Sequence, residues 1–456
     1  MSHYRFKFIR KWFHFCFTEI ESCESDPWYL IEGGVKQYNR IRRNLFPNIQ
    51  ILVLDESMCG WVPRTTKHGG LPHLTFQKRK PVSLGTEMKT ACCGTTGILV
   101  NLEVQRGKGE MKLQKYNTKY GHCTGQVLRS IESVQNFEVI YDQPVDRMSC
   151  LRGPVRTQEF YEQCEVSDKQ VVVGDSFFSS VQSATESMKL FGRHYIGVVK
   201  QAYSKFPKDF LKETMKNAPA GAQLLLTAKH EGVYLCALGY KYSRSGKVTC
   251  FIFTRGAGTT NTYSSHYFQR KTDTFGNVYD RCVERPQVAH TFFEHAGVID
   301  KHNKIRQGML YLEKKWLTKN PWFRLCTTLI GMHLDDAFQL YKFKLDSRIQ
   351  PMSVLEFSEV VAAQLVNDDF SDMNPMEHDP DMARFEESES NENKKFPDSQ
   401  EKITDYYCSF QLVHWTLEKY GTTHFIHSGN YSPTCGTRKY VHMSLIFITT
   451  STSIGV

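Results

Sequence analysis

Residues 48–57, NIQILVLDES, and residues 169–175, KQVVVGD, decide the fold: each is a short apolar run that stops abruptly at an acid, Asp55 in the first and Asp175 in the second. Such a run lacks the alternation of a half-exposed strand and reads as a buried strand delivering an acid at its C-terminal end. Outward from the first run, residues 85–92 and 98–105 alternate around CGTTG at 93–97, the pattern of a β-hairpin and, with the first run, of three sequential antiparallel strands. Outward from the second run, residues 179–190 carry a helical pattern closed by Gly192. Residues 223–254 hold the β-rich runs QLLLTA, GVYLCAL and KVTCFIFT, expected as an all-β insertion. From Glu294 the spacing of Val298, Ile299, Ile305 and Met309 turns helical, with Asp300 early in that helix, and a further helix is predicted over 321–341, opening on Pro321.

A chain of 456 residues is long enough for two or three units and a substantial core. Its 57 Lys and Arg against 48 Asp and Glu give +9, unevenly distributed. Residues 367–405 hold 13 acids against 4 bases, the composition of a solvated linker, which leaves +18 for the remainder. A basic body of this kind suits a polyanionic partner. Fourteen cysteines are scattered without any C-x-x-C pair, which excludes a zinc-ribbon spacing and a disulfide framework and suggests reduced thiols. No stretch reaches the roughly 18 apolar residues of a membrane span, and the start shows no clean signal-peptide core, so a soluble, non-secreted protein is expected.

Two-metal phosphodiester cleavage needs carboxylates that converge on ions roughly 3.5–4 Å apart. Mg²⁺ takes oxygen ligands, so two aspartates from strand ends and one from a helix suffice, and Asp55, Asp175 and Asp300 meet that placement. His295 and His302 flank Asp300 but read as structural residues. Lys78, Arg79, Lys80 and Lys89 form a basic group that could follow a DNA backbone.

The ordered patterns MSHYRFKFIR (1–10), LDESMCGW (54–61), KPVSLGTEMK (80–89), GDSFFSS (174–180), EHAGVIDKHNKIRQGMLYLEKKW (294–316) and PWFRLCTTLIGMHLDDAFQLY (321–341) resemble the piggyBac transposase family. The resemblance implies an α/β, RNase H-like core with a β-rich insertion between the second and third catalytic acids, and it matches those acids to Asp55, Asp175 and Asp300. It implies metal-dependent DNA cleavage and strand transfer with Mg²⁺ or Mn²⁺, double-stranded DNA as transposon end and target, a homodimer and a nuclear location. The family's fourth acid falls here on Asn303, an amide that could still offer a metal its carbonyl oxygen. That departure keeps a second reading open, a transposase-derived DNA-binding or chromatin-associated protein without catalysis. The match starts at Met1, so a shortened or decaying copy is a further expectation.

The expected organisation is an N-terminal helical segment (1–45), the first part of the core (46–200), the β-rich insertion (201–290), the C-terminal helices of the core (291–345), an acidic disordered linker (346–405) and an irregular tail (406–456). The tail holds Cys408, Cys435, His414, His424, His427 and His442 without the spacing of a zinc site, so no zinc is expected.

Overall fold

A computed structural model describes residues 26–45, 49–64, 66–135, 170–200, 205–242, 246–262, 266–345 and 348–367. Helix α1 (Tyr29–Leu45) buries Ile31, Val35, Tyr38 and Ile41, one stripe at helical spacing. Four strands follow, β1 (Ile51–Gly60), β2 (Thr75–Phe76), β3 (Leu84–Cys93) and β4 (Leu99–Val104). Helices α2 (Lys108–Leu113), α3 (Asn117–Tyr120) and α4 (His122–Gln135) lead towards β5 (Val171–Gly174), α5 (Val181–Phe191) and β6 (His194–Val198). Next come α6 (Lys208–Thr214), β7 (Gln223–His230), β8 (Val233–Tyr240), β9 (Thr249–Thr254), β10 (His266–Thr272) and β11 (Val278–Glu284). Helices α7 (Gln287–His295) and α8 (Val298–Lys304), a π-helical turn (Ile305–Leu310), α9 (Leu312–Lys315), α10 (Pro321–Lys344) and α11 (Val354–Asn367) close the described chain.

Nine strands form one mixed sheet in the order β2-β3-β1-β5-β6-β9-β8-β7, with β4 also paired to β3. β1, β5 and β6 run parallel, whereas β3 is antiparallel to β1 and β4 to β3. The central strands are buried throughout their middles, as their apolar runs demand, and Leu52, Val53, Leu54, Val172, Val173 and Ile196 form the heart of the core. The expected hairpin is β3 and β4, which form a ladder from Met88↔Val104 to Cys92↔Leu99. Helix α5 starts where Ser180 Oγ accepts the Ser183 N–H and stops at Gly192, whose φ of 65° suits glycine.

Three features differ from the sequence expectation. β1 does not end at its acid but continues to Gly60, because β3 goes on pairing with it as far as Gly60↔Gly85 while β5 leaves after Leu54↔Gly174. Gly85 permits that close pairing, since a Cβ there would meet the Cys59 carbonyl oxygen at 1.9 Å. The β-rich stretch is not a separate layer: β9 pairs with β6 from Ile196↔Phe253 to Val198↔Phe251 and carries β8 and β7 onto the main sheet, so the edge of β6 is covered. β10 and β11 form their own two-stranded ribbon. Thirdly, the span expected as a disordered linker from 346 opens with helix α11. Its Val354, Phe357, Val361 and Leu365 are buried at helical spacing, and Ser353 and Glu356 close a capping box through Glu356 N–H to Ser353 Oγ (3.3 Å) and Ser353 N–H to Glu356 Oε2 (2.8 Å).

Residues 341–345 and 348–367 belong to a unit distinct from the one carrying the sheet. Within it Tyr341 stacks on Phe357 at 5.2 Å and its hydroxyl accepts the Met352 N–H. The acid-rich residues 368–405, the tail 406–456 with its cysteines and histidines, and the first pattern at 1–10 lie outside the described residues. Among the described residues no helix is long and apolar enough to cross a membrane.

Candidate metal centre

The parallel register sets the site. Leu54 pairs with Gly174, so the next residues along the two strands are Asp55 and Asp175, side by side where β5 turns away. That turn is fixed by Asp175 itself, whose Oδ1 accepts the Phe177 N–H at 2.8 Å, and by Ser179, whose hydroxyl lies 3.0 Å from the Gly174 carbonyl and 2.7 Å from that of Asp175. Gly174 has no room for a side chain, since a Cβ would meet the Tyr195 hydroxyl at 2.3 Å. Asp55 is held by its backbone: Thr90 Oγ1 donates to the Asp55 carbonyl at 3.0 Å, and its Oδ1 accepts the Glu56 N–H at 2.7 Å.

Asp55, Glu56 and Asp175 each offer a carboxylate oxygen within 4.8 Å of the others, the one group among the described residues with metal-ligand geometry. Asp300, the third acid chosen from sequence, stands at the mouth on α8 with its side chain 66% exposed, and reaches the group through Lys80. The Lys80 ammonium lies 3.5 Å from Asp300 Oδ1, 3.8 Å from Asp55 Oδ1 and 3.8 Å from Glu56 Oε2. Arg79 flanks the group at 3.3 Å from Glu56 and 4.0 Å from Asp175.

The electrostatics are those of crowded acids. Burial pushes the Asp55 carboxyl well above the ordinary range, against the pull of Lys80, and Glu56 and Asp175 push it further. Glu56 lies below its ordinary value: burial opposes that, but Lys89 and Lys80 beside it and a hydrogen bond with Asp55 prevail. Burial and the charge of Glu56 raise Asp175, while the Phe177 N–H and Arg79 restrain it.

Glu56 was missed in the sequence, because neighbouring residues of a strand alternate between faces and only Asp55 was placed at the site. The signal was the sharp end of the apolar run before two consecutive acids. Lys89 requires a correction. Expected to follow a DNA backbone, it is buried, paired with Glu56 Oε1 at 3.2 Å and Glu87 Oε1 at 2.6 Å, with its ammonium 3.4 Å from the centre of the Phe177 ring. It stands directly opposite Glu56 in the β1–β3 ladder, so the core acid claims it. Lys80 is turned into the acids, whereas Lys78 is exposed and Arg79 is 55% exposed despite its pairs.

Asn303 acts as a clasp. Its Nδ2 donates to the Glu56 carbonyl at 3.3 Å and its Oδ1 accepts from Arg306 Nη2 at 3.2 Å, so the oxygen expected for a metal is already engaged. The guanidinium only donates and the backbone carbonyl only accepts, which fixes the amide orientation. Arg306 is buried in the π-helical turn, also donates to the Met58 carbonyl at 2.9 Å and pairs with Glu313; burial lowers its pKa to about 10. Together these bonds fasten α8 to β1, the helix whose Asp300 meets Lys80.

A second acidic centre lies behind α8. Asp336 accepts from Arg42 Nη2 at 2.9 Å, from the Leu99 N–H at 2.9 Å and from the Tyr38 hydroxyl, and its Oδ1 lies 3.2 Å from His302 Nε2. His302 Nδ1 stands 3.3 Å from Asp335 Oδ2. The reading of His302 as structural fits this buried position; His295 likewise is buried, its Nδ1 3.2 Å from the Gly94 carbonyl oxygen.

Residues 1–143 match a family model described as Transposase IS4. No curated protein matches the chain in sequence. Among solved structures, the piggyBac transposase in its cryo-EM synaptic complex with hairpin DNA has a similar fold, with a TM-score of 0.52 at 14% identity over 89% of this chain and 71% of that one. The resemblance carried by the sequence motifs is thus borne out: residues 1–143 match a transposase family model, and the fold of the chain is similar to that of the piggyBac transposase.

Proposed function

We propose that this protein is a piggyBac-type DNA transposase whose cleavage and strand-transfer centre is built from Asp55, Asp175 and Asp300, with Glu56 completing the acid set. The observation that carries the reading is the β1–β5 register, which puts Asp55 beside Asp175, together with Lys80, which ties both Asp55 and Glu56 to Asp300. The β4-β3-β1-β5-β6 segment, antiparallel and then parallel, is read as the RNase H-like core, with 201–290 as the inserted region.

The donors suit a hard divalent cation: they are carboxylate oxygens, close together, with Asp55 held back from ionising chiefly by burial, and an ammonium is already drawn among them. Asp55, Asp175 and Asp300 would hold Mg²⁺ or Mn²⁺, which when bound supplies the positive charge that activates an attacking oxygen and stabilises a leaving one. The protein's own residues do the rest. The β-sheet fixes Asp55 and Asp175, the Asn303–Arg306 clasp positions α8, and Arg79 with Lys80 offers donors to the non-bridging oxygens of a phosphodiester. Lys78 and Arg79 face solvent where a duplex backbone would pass. Double-stranded DNA as partner, a homodimer and a nuclear location belong to the same proposal; convergence of the acids supports catalysis over a binding-only role.

The test is incubation of the protein with duplex DNA carrying the element ends and Mg²⁺ or Mn²⁺, beside Asp175→Ala. Metal-dependent nicks and joined products that vanish in the variant are expected; DNA binding without any cleavage sinks the catalytic reading.

A further inference from the structure

Asp175 also forms part of the wall of a cavity of about 630 Å³, a size ordinary for a ligand site. Its other walls include Lys200, Tyr242, Arg285, Phe292 and Phe293. Phe293 is 43% exposed, although its ring is held edge-on by Phe251 at 5.9 Å and by Phe292 at 5.5 Å. Tyr242 is 40% exposed, and its backbone is fixed by the Gln269 side chain, which donates to the Tyr242 carbonyl at 2.6 Å. The Arg285 guanidinium stands 5.2 Å from the centre of the Phe293 ring, and Lys200 is exposed and close enough to Asp175 to lower its pKa.

Two partly exposed aromatic rings, two cations and one carboxylate of the acid group therefore share one cavity. Aromatic faces bind unstacked bases whatever their sequence, and Lys and Arg bind the phosphate that follows. Asp55 is almost wholly buried, so a scissile phosphate reaches it most readily from a strand pulled out of regular stacking. The geometry points to a subsite for one extrahelical nucleotide of the DNA being processed: its base lies against Phe293 and Tyr242, its phosphate near Lys200 and Arg285, and the adjoining phosphate at Asp175. This rests on the reading of the acids as a DNA-processing centre, yet it is tested without cleavage.

The probe is a duplex with one unpaired 2-aminopurine, compared with the fully paired duplex in metal-free buffer, by anisotropy and by 2-aminopurine fluorescence. The full-length protein should bind the unpaired duplex about tenfold more tightly, and Phe293→Ala with Tyr242→Ala should abolish that preference while leaving affinity for the paired duplex unchanged. Phe293→Trp should restore it, and thermal unfolding of each variant verifies folding. Equal binding of both duplexes by the wild type, or a preference that survives the double substitution, overturns the subsite. A preference lost as expected, in a protein that cleaves nothing with Mg²⁺ or Mn²⁺, upholds the subsite and overturns the catalytic reading instead.

Discussion

The two acidic centres on either side of α8 are chemically alike and physically opposite. At the strand ends, Asp55, Glu56 and Asp175 crowd together with Lys80 and Arg79, Asp300 meets Lys80 at the mouth, and burial raises the pKa of Asp55. Behind the helix, Asp336 is met by Arg42, Tyr38, His302 and the Leu99 N–H, and is lowered to about 2: burial would raise it, but Arg42 and His302 outweigh that. The first centre leaves charge for something else to balance; the second is balanced within the core. An acid's burial alone therefore says little about its role, whereas the balance of its partners says much.

The sharpest way to break the comparison is to remove an acid from each centre. Asp175→Ala should abolish metal-dependent cleavage, on the order of 10³-fold or more, while the lost Phe177 N–H bond costs only about 1 kcal/mol in urea unfolding. Asp336→Ala should instead cost about 3–5 kcal/mol of stability, because it strands Arg42 in the core, as urea titration would show. The pH dependence should separate the centres too. A lowered carboxyl stabilises the fold fully above its unfolded value, 3.8, and that contribution is lost as pH falls towards about 2. Asp336→Asn should lack this loss between pH 4 and 2.

Smaller effects sharpen the picture. Lys80→Met removes the cation from among the acids and should tighten Mn²⁺ binding about tenfold by calorimetric titration; unchanged affinity would show that the ammonium does not compete with the metal. Asn303→Asp adds charge but gives up the donor to the Glu56 carbonyl, so a gain in Mn²⁺ affinity of only about threefold is expected, smaller than for Lys80→Met.

Much of this was legible in the sequence because it is local. An unbroken apolar run announces a buried strand, Gly192 announces a helix end, and alternation on both sides of CGTTG announces a hairpin. What was not legible depends on partners distant in sequence. Lys89 reads as a surface lysine until the ladder sets it opposite Glu56, and Asn303 reads as a weakened ligand until Arg306 claims its oxygen. Nothing near Asp336 in sequence names Arg42 or Tyr38 as its partners. The joining of β9 to β6 was hidden because strands declare their type in sequence but not their neighbour.

The parallel pairing of β1 with β5, with α8 laid beside them, also has a consequence for the life of the chain before it is finished. Its acids come from segments far apart in the sequence, so the contact order of this site is high and its closure is slow. During synthesis at about 5–20 residues per second, Asp300 follows Asp55 by on the order of tens of seconds. A ribosome-bound or prematurely terminated product thus lacks the complete acid set, and any power to cut DNA arises only once most of the polypeptide exists.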